Sequence, residues 1–287
     1  MMGDQVTFSE FSKSNFKNWL KEIKQKNPHL DFEKELKWQD PWGIELNPFF
    51  DGSNTKASTY LTHFFSSQPY PQWKLLQKIE VKDDKVANRE ALEALNNGCE
   101  GIIFDVNDHA PNPDILYDQI YPAHCCVFFI GSRVKDLDNF FKHYRSLEAS
   151  AFEGGADCKV SGPTQFSYTI DAIHCQSLQD WSKLVVEIIH CLKNNDQSVT
   201  VWLGHGPHFY HDLTRVRSLR FMVSVLCRAE NIPFSADRFR IHSSPRKCKG
   251  LAEGLISNSA TGLSLSLGAV NYLSFELDAA DRVNGKR

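Results

Sequence analysis

Residues 198–203, Ser-Val-Thr-Val-Trp-Leu, form a short, continuous apolar run that predicts a β-strand buried on both faces. A long helical pattern follows it near residues 209–230, and a second apolar run comes after that helix at residues 239–242. This order is typical of a parallel sheet, because parallel neighbours must be joined by a crossover of a dozen or more residues. The stretch therefore predicts an α/β fold.

The same alternation extends over the chain from residue 73 onward. Further strands are predicted at 74–81, 101–106, 125–130, 166–170 and 271–275, a weak eighth at 155–160, and helices at 84–97, 178–193 and 251–267. No Gly-x-Gly-x-x-Gly follows the first strand and no Walker A sequence is present, which disfavours a nucleotide-binding open sheet. We therefore predict a (β/α)₈ TIM barrel that is preceded by an N-terminal helical and extended arm.

The arm comprises residues 1–65, and the barrel domain residues 66–287. An amphipathic helix is predicted at residues 14–23, and an irregular aromatic-rich segment follows at residues 38–50. Six large aromatic residues lie outside the barrel's own repeat: Phe16, Trp19, Trp38, Trp42, Phe49 and Phe50. Side chains of this size need cover from water. We expect some of them to fold back on the chain and others to pack against another subunit.

The composition excludes several classes of partner. The 287 residues carry a net charge of −3, and no basic run with interleaved aromatic residues occurs, so neither nucleic acid nor a membrane is an expected partner. The eight cysteines form no Cys-x-x-Cys pair, which predicts reduced thiols. With no signal-peptide pattern and no apolar run of about 20 residues, we expect a cytoplasmic protein.

Candidate functional residues come from the barrel rule that chemistry lies at the carboxyl ends of the strands. The polar residues at these places are Gln77, Asp105, Asp108, His109, His174, His205, His208 and His242. His205, His208 and His211 are spaced by three, but Gly206–Pro207 interrupts them and no carboxylate completes a ligand set. We therefore predict no metal site.

Several segments, in the same order along the chain, resemble the methylmalonyl-CoA mutase family. The matching segments are residues 38–50 (Trp-x-x-Pro-Trp-Gly-Ile-x-x-x-Pro-Phe-Phe), 73–77 (Trp-Lys-Leu-Leu-Gln), 87–102, 169–174 (Thr-Ile-Asp-Ala-Ile-His), 209–220, and 258–278 with its Leu-Gly-Ala-x-Asn-Tyr-Leu-x-Phe core. The last segment is the most specific of them. The resemblance implies a TIM barrel of the mutase type.

The resemblance also implies a role without catalysis. Catalytic members bind adenosylcobalamin on a separate domain with an Asp-x-His-x-x-Gly motif, which this sequence lacks. They thread acyl-CoA through a barrel lined by small polar residues, whereas the strands here carry Phe104, Phe128, Phe129 and Trp202. The chain therefore resembles the small, non-catalytic subunit. Its expected partners are a catalytic large subunit or a second copy, with the cofactor bound by the complex and not by this chain alone.

Should acyl-CoA be bound, we expect His174, at the end of its strand, to donate a hydrogen bond to a thioester carbonyl. Gln77, Asp105, His205 and His242, at other strand ends, are then the expected further substrate ligands. Three alternatives remain open. The chain could be a catalytic acyl-CoA mutase barrel whose cobalamin domain is a separate chain, or an unrelated TIM-barrel hydrolase or metal-dependent lyase that uses residues 205–211. It could also be a piece of a longer protein. A lumen lined by small polar residues would favour the first.

Overall fold

The computed structural model describes residues 14–39, 45–50, 73–109, 111–121, 124–137, 153–156, 166–175, 177–194, 198–204, 208–235, 237–244 and 251–275. The chain divides into two compact units, Met1–Ser66 and Ser67–Arg287.

Within its described residues, 14–39 and 45–50, the first unit contains one regular helix and two very short strands. Its elements are α1 (Phe16–Lys26), a single π-helical turn (Phe32–Leu36), β1 (Trp38–Gln39) and β2 (Glu45–Leu46), the two strands being antiparallel. Helix α1 begins after Asn15, whose side-chain oxygen accepts a hydrogen bond from the backbone N–H of Asn18. This is the usual N-cap arrangement, and it satisfies one of the free amide groups of the first turn.

Four aromatic side chains of this unit pack on one another. The rings of Trp19 and Phe49 stack at a centroid distance of 5.3 Å, and Phe32 meets Phe16 edge-on at 5.8 Å. The expectation that some arm aromatics fold back on the chain is therefore confirmed for Phe16, Trp19 and Phe49. Trp38 and Phe50, by contrast, are 60% and 59% exposed. Trp42 lies outside the described residues.

The second unit is an eight-stranded, all-parallel closed barrel, which confirms the predicted TIM-barrel fold. Its strands are β3 (Lys74–Glu80), β4 (Gly101–Asp105), β5 (Cys126–Ile130), β6 (Gly154–Ala156), β7 (Phe166–Ala172), β8 (Val199–Gly204), β9 (Phe239–Ser244) and β10 (Tyr272–Ser274). They pair in chain order, and β10 closes the ring by pairing with both β9 and β3. The weak eighth strand predicted at residues 155–160 corresponds to β6.

Helices follow most of the strands. They are α2 (Asp84–Asn96), α3 (Pro113–Leu116), α4 (Leu178–Asn194), α5 (Phe209–Ala229) and α6 (Leu251–Gly268), with a 3₁₀ turn at Val134–Leu137. Helix α2 begins at the N-cap Asp83, which accepts from the Val86 amide, and ends before Gly98 at φ +98°. None of the helices within the described ranges combines the length and apolarity that crossing a membrane requires.

Alternate residues of each strand face the lumen and the helices, as the strand period of two demands. Phe128 and Trp202 belong to the apolar cluster inside the barrel, as expected. Phe104 and Phe129 do not: they pack with Ala87, Ala91 and other residues of the helix layer. Their assignment to the lumen was wrong. Phe104 directly follows the lumen residue Ile103, and Phe129 directly follows Phe128, so both point to the outer face.

A buried arginine ties helix α5 to the turn between α6 and β10. Arg220 is 3% exposed and donates to the carbonyl oxygen of Ala269 and to Oδ1 of Asn271, at 2.6 Å for each Nη2 contact. The same Asn271 oxygen accepts from the Ile241 amide of β9. Ala269 itself is in the left-handed region at φ 66°. Arg220 thus joins three elements at the point where the barrel closes.

We expect Arg220→Met to lower the free energy of unfolding by roughly 2–4 kcal/mol, because it removes charge-assisted hydrogen bonds and leaves buried acceptors unpaired. Urea unfolding followed by circular dichroism measures the change. Arg228→Met, at an exposed position of the same helix, is the matched control, with an expected change below about 0.5 kcal/mol. Equal stability of the two variants would contradict this role of Arg220.

Candidate functional site

The middle of the barrel lumen is filled by apolar and aromatic side chains. Leu76, Ile103, Cys126, Phe128, Trp202 and Tyr272 form one buried cluster there. The Phe128 ring meets Tyr272 edge-on at 5.0 Å and Trp202 edge-on at 6.2 Å. Such perpendicular contacts are favourable for aromatic pairs. Three aromatic rings from β5, β8 and β10 therefore occupy the space around the barrel axis.

Small residues also line the lumen on β6, β7 and β8. On β7 and β8, Thr200 donates to Ser167 at 2.7 Å, and Ser167 donates to the carbonyl oxygen of Gly154, so both hydroxyls are paired within the wall. A Cβ atom added at Gly155 would meet the Phe128 ring at 3.0 Å. The small residues thus leave room that the ring of Phe128 takes up.

A charged cluster lies at the N-terminal end of the lumen. Lys74, the first residue of β3, donates to Glu153 at 2.5 Å, and Tyr272 donates to the other oxygen of the same carboxylate at 2.5 Å. The Cys126 thiol is within 3.5 Å of the Lys74 ammonium group. Lys74 and Glu153 retain 35% and 29% side-chain exposure, so this cluster lies between the aromatic layer and the solvent.

The cluster shifts the titration of its members. Burial raises the pKa of Glu153, but hydrogen bonds from Lys74 and Tyr272 outweigh it, so the net pKa is lowered. For Lys74, burial lowers the pKa, and the hydrogen bond to Glu153 with nearby charges raises it overall. Burial raises the pKa of the Cys126 thiol to about 12. Near neutral pH the cluster is therefore an ion pair beside a protonated thiol.

Two polar groups face the lumen toward the C-terminal mouth. Asp105, which ends β4, lies 3.2 Å from the Lys78 ammonium group and accepts from the Asn107 side chain at 2.6 Å. His242 of β9 is 1% exposed, and its Nε2 lies 3.0 Å from the Ser274 hydroxyl. Its ring packs on Trp202 at 4.2 Å. Asp105 and His242 therefore both point inward, but each already has protein partners.

His174 lies in the turn after β7, where the sequence placed it, and its side chain is exposed. It lines a groove of about 300 Å³ with Asp171, Asp180, Lys183 and Glu187. Lys183 and Glu187 belong to α4, so this groove runs along the outer layer and not over the filled axis. The turn is held by Arg215, which donates to the carbonyl oxygen of Cys175 at 2.8 Å.

The remaining sequence candidates do not converge with His174. Gln77 alternates with the lumen residues Leu76 and Lys78, so it lies on the outer face of β3, and its amide donates to the Lys78 carbonyl oxygen. His205 lies outside the described residues. The structure thus separates the predicted substrate ligands between the lumen, the outer face and the outer groove, and their binding roles stay predictions.

The other histidines serve local contacts. His109 lies 3.2 Å from Asp84 at the start of α2, and His211 lies 3.8 Å from Asp212. His208 precedes α5 as its N-cap and is exposed. Within the described ranges, which leave out His205, no three His, Cys, Asp or Glu side chains come together as metal ligands.

Sequence reasoning missed the cluster at the N-terminal end. Its signal was present, because Lys74 and Lys78 of the predicted strand are spaced so that both lie on one face. A lysine that faces a barrel lumen needs a carboxylate partner. Glu153 was overlooked because it precedes the weakest strand, β6, whose three residues Gly-Gly-Ala carry little strand signal.

We expect Glu153→Gln to flatten the acid part of the stability profile. The pKa of Glu153 is below its usual 4.5 in the folded chain, so its carboxylate stabilises the fold above that pH and the contribution is lost as pH falls through the folded value. The variant should lose roughly 1–2 kcal/mol at pH 7, discounted for partial exposure, and less at pH 3.5.

Thermal or urea unfolding between pH 3.5 and 7 measures this difference. Glu93→Gln is the matched control, because Glu93 is exposed on α2 and should leave both the stability and the slope unchanged. Parallel profiles for wild type and Glu153→Gln would show that the ion pair contributes nothing to acid stability.

Comparisons with known proteins bear on this barrel. No family model matches the chain. The chain is 31% identical over 201 residues to a protein of Porphyromonas gingivalis (strain ATCC BAA-308 / W83) named methylmalonyl-CoA mutase small subunit. The aligned part is 63% of this chain and 31% of the relative, so the chain spans about a third of the length of the curated relative that it matches. This match confirms the resemblance to the methylmalonyl-CoA mutase family that the sequence segments indicated.

Proposed function

We propose, starting from this relationship to a mutase small subunit, that the chain is a non-catalytic barrel subunit. Its partner would be a larger, cobalamin-dependent acyl-CoA mutase subunit that interconverts methylmalonyl-CoA and succinyl-CoA. The complex would be cytoplasmic, where the six free thiols of the described residues stay reduced. The single observation that carries the proposal is the filled lumen.

The filled lumen argues against passage of acyl-CoA along the barrel axis. A pantetheine-like chain needs a continuous channel, whereas Phe128, Trp202 and Tyr272 pack there in ring-to-ring contact. Opening a channel would require several buried aromatic rings to leave together, and burial of each contributes a few kcal/mol. The ion pair of Lys74 and Glu153 would also have to separate at the N-terminal end. Both features favour a barrel that stabilises a partner over one that binds substrate.

The residues present do not fit adenosylcobalamin either. The sequence has no Asp-x-His-x-x-Gly motif that could present an axial histidine. The lumen histidine, His242, is buried against Trp202 and bonded to Ser274. We therefore assign the cofactor to the partner subunit and derive no chemical step on this chain.

A catalytic acyl-CoA mutase barrel with its cobalamin domain on a separate chain is the second candidate. The wall of Ser167, Thr169 and Thr200 is the observation in its favour, because small polar residues line the substrate channel in catalytic members. The Phe128 ring fills the lumen beside Gly155, the glycine that is in register with Ser167 of this wall. His174, the expected hydrogen-bond donor to the thioester, lines the outer groove and not the lumen, which argues further against a catalytic barrel.

The arm offers a contact surface for the partner. Trp38 and Phe50 are exposed, while the aromatic cluster of Phe16, Trp19 and Phe49 gives the segment a packed base. Large aromatic residues commonly supply most of the binding free energy of an interface. We propose that Trp38 and Phe50 insert into the catalytic subunit.

We expect the tagged full chain to co-purify from its native cells with a larger subunit that contains an Asp-x-His-x-x-Gly motif. Trp38→Ala should weaken that association about 30-fold, corresponding to roughly 2 kcal/mol for one aromatic anchor. Mass spectrometry identifies the partner, and titration calorimetry with the isolated large subunit measures the affinity.

Tyr121→Ala is the control for this experiment, because Tyr121 is an exposed aromatic of the barrel unit at 68% exposure. Its affinity for the partner should equal that of the wild type. Recovery of the chain without any mutase subunit, or mutase turnover by the chain alone, would rule out the proposed role.

We also expect no saturable binding of adenosylcobalamin or acyl-CoA to this chain alone. The physical reason is the absence of an axial histidine motif for the first and the filled lumen for the second. Visible-absorption titration tests the cofactor, and calorimetry tests the acyl-CoA. Saturation of either at micromolar concentration would instead support the catalytic candidate.

A further inference from the structure

Helices α5 and α6 carry an unusual outward surface. Half of the large apolar side chains that are exposed in the described part of the chain lie on these two helices. They are Tyr210, Phe221, Val225 and Leu226 of α5, and Leu255, Ile256, Leu263 and Leu267 of α6. We refer to these eight side chains as the α5–α6 face. Ile256 is 75% exposed and Leu263 57% exposed, which is far from the burial that such residues normally reach.

The two helices form one continuous surface because they pack directly together. Arg217 of α5 donates to the carbonyl oxygen of Leu267 at 2.9 Å, and Ser264 of α6 donates to that of Phe209 at 2.5 Å. Gly268 allows the close approach, since a Cβ atom there would lie 3.1 Å from Val216. The exposed residues of α6 are at positions 255, 256, 259, 260, 263 and 267, and this spacing puts all of them along one side of the helix.

Charge is nearly absent from this surface. Helix α6 contains a single charged residue, Glu253, in its first turn. Of the charged side chains in α5, Asp212 and Arg220 are buried, and only Arg228 is exposed, in the last turn. Arg215 and Arg217 are partly buried and donate to backbone carbonyl oxygens. The exposed positions between them, Thr214 and Ser218, are small and uncharged.

The other two long helices in the described part of the barrel behave differently. Helix α2 exposes Lys85, Arg89, Glu90 and Glu93, and helix α4 exposes Lys183, Glu187 and Lys193. These are ordinary solvated faces, with charges of both signs between isolated apolar residues such as Val186. The uncharged apolar character therefore belongs to the α5–α6 face and not to the outer helices in general.

We propose that the α5–α6 face is the interface on which a second copy of this chain docks about a two-fold axis. The absence of charge makes the surface compatible with itself, because a two-fold contact brings each patch onto its equivalent and like charges would repel. Helices of 21 and 18 residues are ~31 and ~27 Å long and lie ~10 Å apart, which gives a face of roughly 600 Å² per copy. A total of about 1,200 Å² reaches the lower limit of stable interfaces.

This inference does not depend on the mutase partnership, which the arm would provide through Trp38 and Phe50. It predicts a homodimer of the purified full chain by sedimentation equilibrium. Ile256→Glu combined with Leu263→Glu should raise the dimer dissociation constant at least about 100-fold, since each copy would bury two like charges. Val186→Glu, an equally exposed apolar position at 68% on α4, is the matched control and should leave the dimer unchanged.

A mixing experiment tests the two-fold geometry. The Glu variant at positions 256 and 263 and the corresponding Lys variant should each be monomeric alone, and an equal mixture should regain dimer. Hydrogen exchange on the wild type provides a measurement without substitutions: protection of α6 should fall on dilution, while that of α4 should not.

A wild-type monomer at all concentrations, or a dimer that survives the Glu variant, overturns the proposal. Loss of large-subunit binding in the Glu variant, with a monomeric wild type, would assign the face to that partner and also overturn it.

Discussion

The contact of the Phe128 ring with the wall that contains Gly155 is the constraint on which the barrel depends. A closed eight-stranded barrel has a lumen of nearly fixed width, so the side chains that point inward must together fill it. Here β6 and β7 contribute Gly155 and Ser167, the neighbouring strand β5 contributes Phe128, which is in register with Gly155, and β10 contributes Tyr272. Large and small residues therefore compensate between paired strands. Enlarging the small wall or trimming the ring would leave either overlap or a cavity, each of which costs stability.

The N-terminal cluster follows from the same packing. Tyr272 spans from the aromatic layer, where its ring contacts Phe128, to the carboxylate of Glu153, which its hydroxyl group reaches. Glu153 in turn pairs with Lys74. Tyr272 therefore belongs both to the aromatic layer of the lumen and to the charged cluster at its N-terminal end. Polar groups at the N-terminal face of a barrel commonly serve stability, whereas those at the other face serve chemistry. The best-organised polar cluster of this barrel is therefore at the end associated with the fold.

The sequence predicted the barrel well because continuous apolar strands and intervening helices leave a clear periodic signal. It predicted the site poorly. Phe104 and Phe129 looked like lumen residues because a strand buried on both faces shows no alternation that would tell the faces apart. The strand register is needed to tell the lumen face from the outer face. Leu76 and Cys126, for example, are both in register with Gly101 and both belong to the lumen cluster. Gln77 and His174 were placed correctly along the chain. The direction of each side chain, however, depends on which alternate residues of the strand face the lumen and on the conformation of the turn that follows. Glu153 was missed because its partner Lys74 is 79 residues away.

The interior of the barrel is closed by its own side chains, whereas its exterior carries exposed apolar side chains. In the lumen, Asp105 pairs with Lys78, Nε2 of His242 with Ser274 and Glu153 with Lys74, so these polar groups bind to the fold itself. Ten of the sixteen large apolar side chains that are exposed in the described residues lie on the arm and on helices α5 and α6, and exposed groups of this size favour aggregation. Such groups are tolerated when an assembly covers them. A barrel whose interior is closed and whose exterior carries exposed apolar surface is suited to act by contact with other subunits, as the proposed role requires.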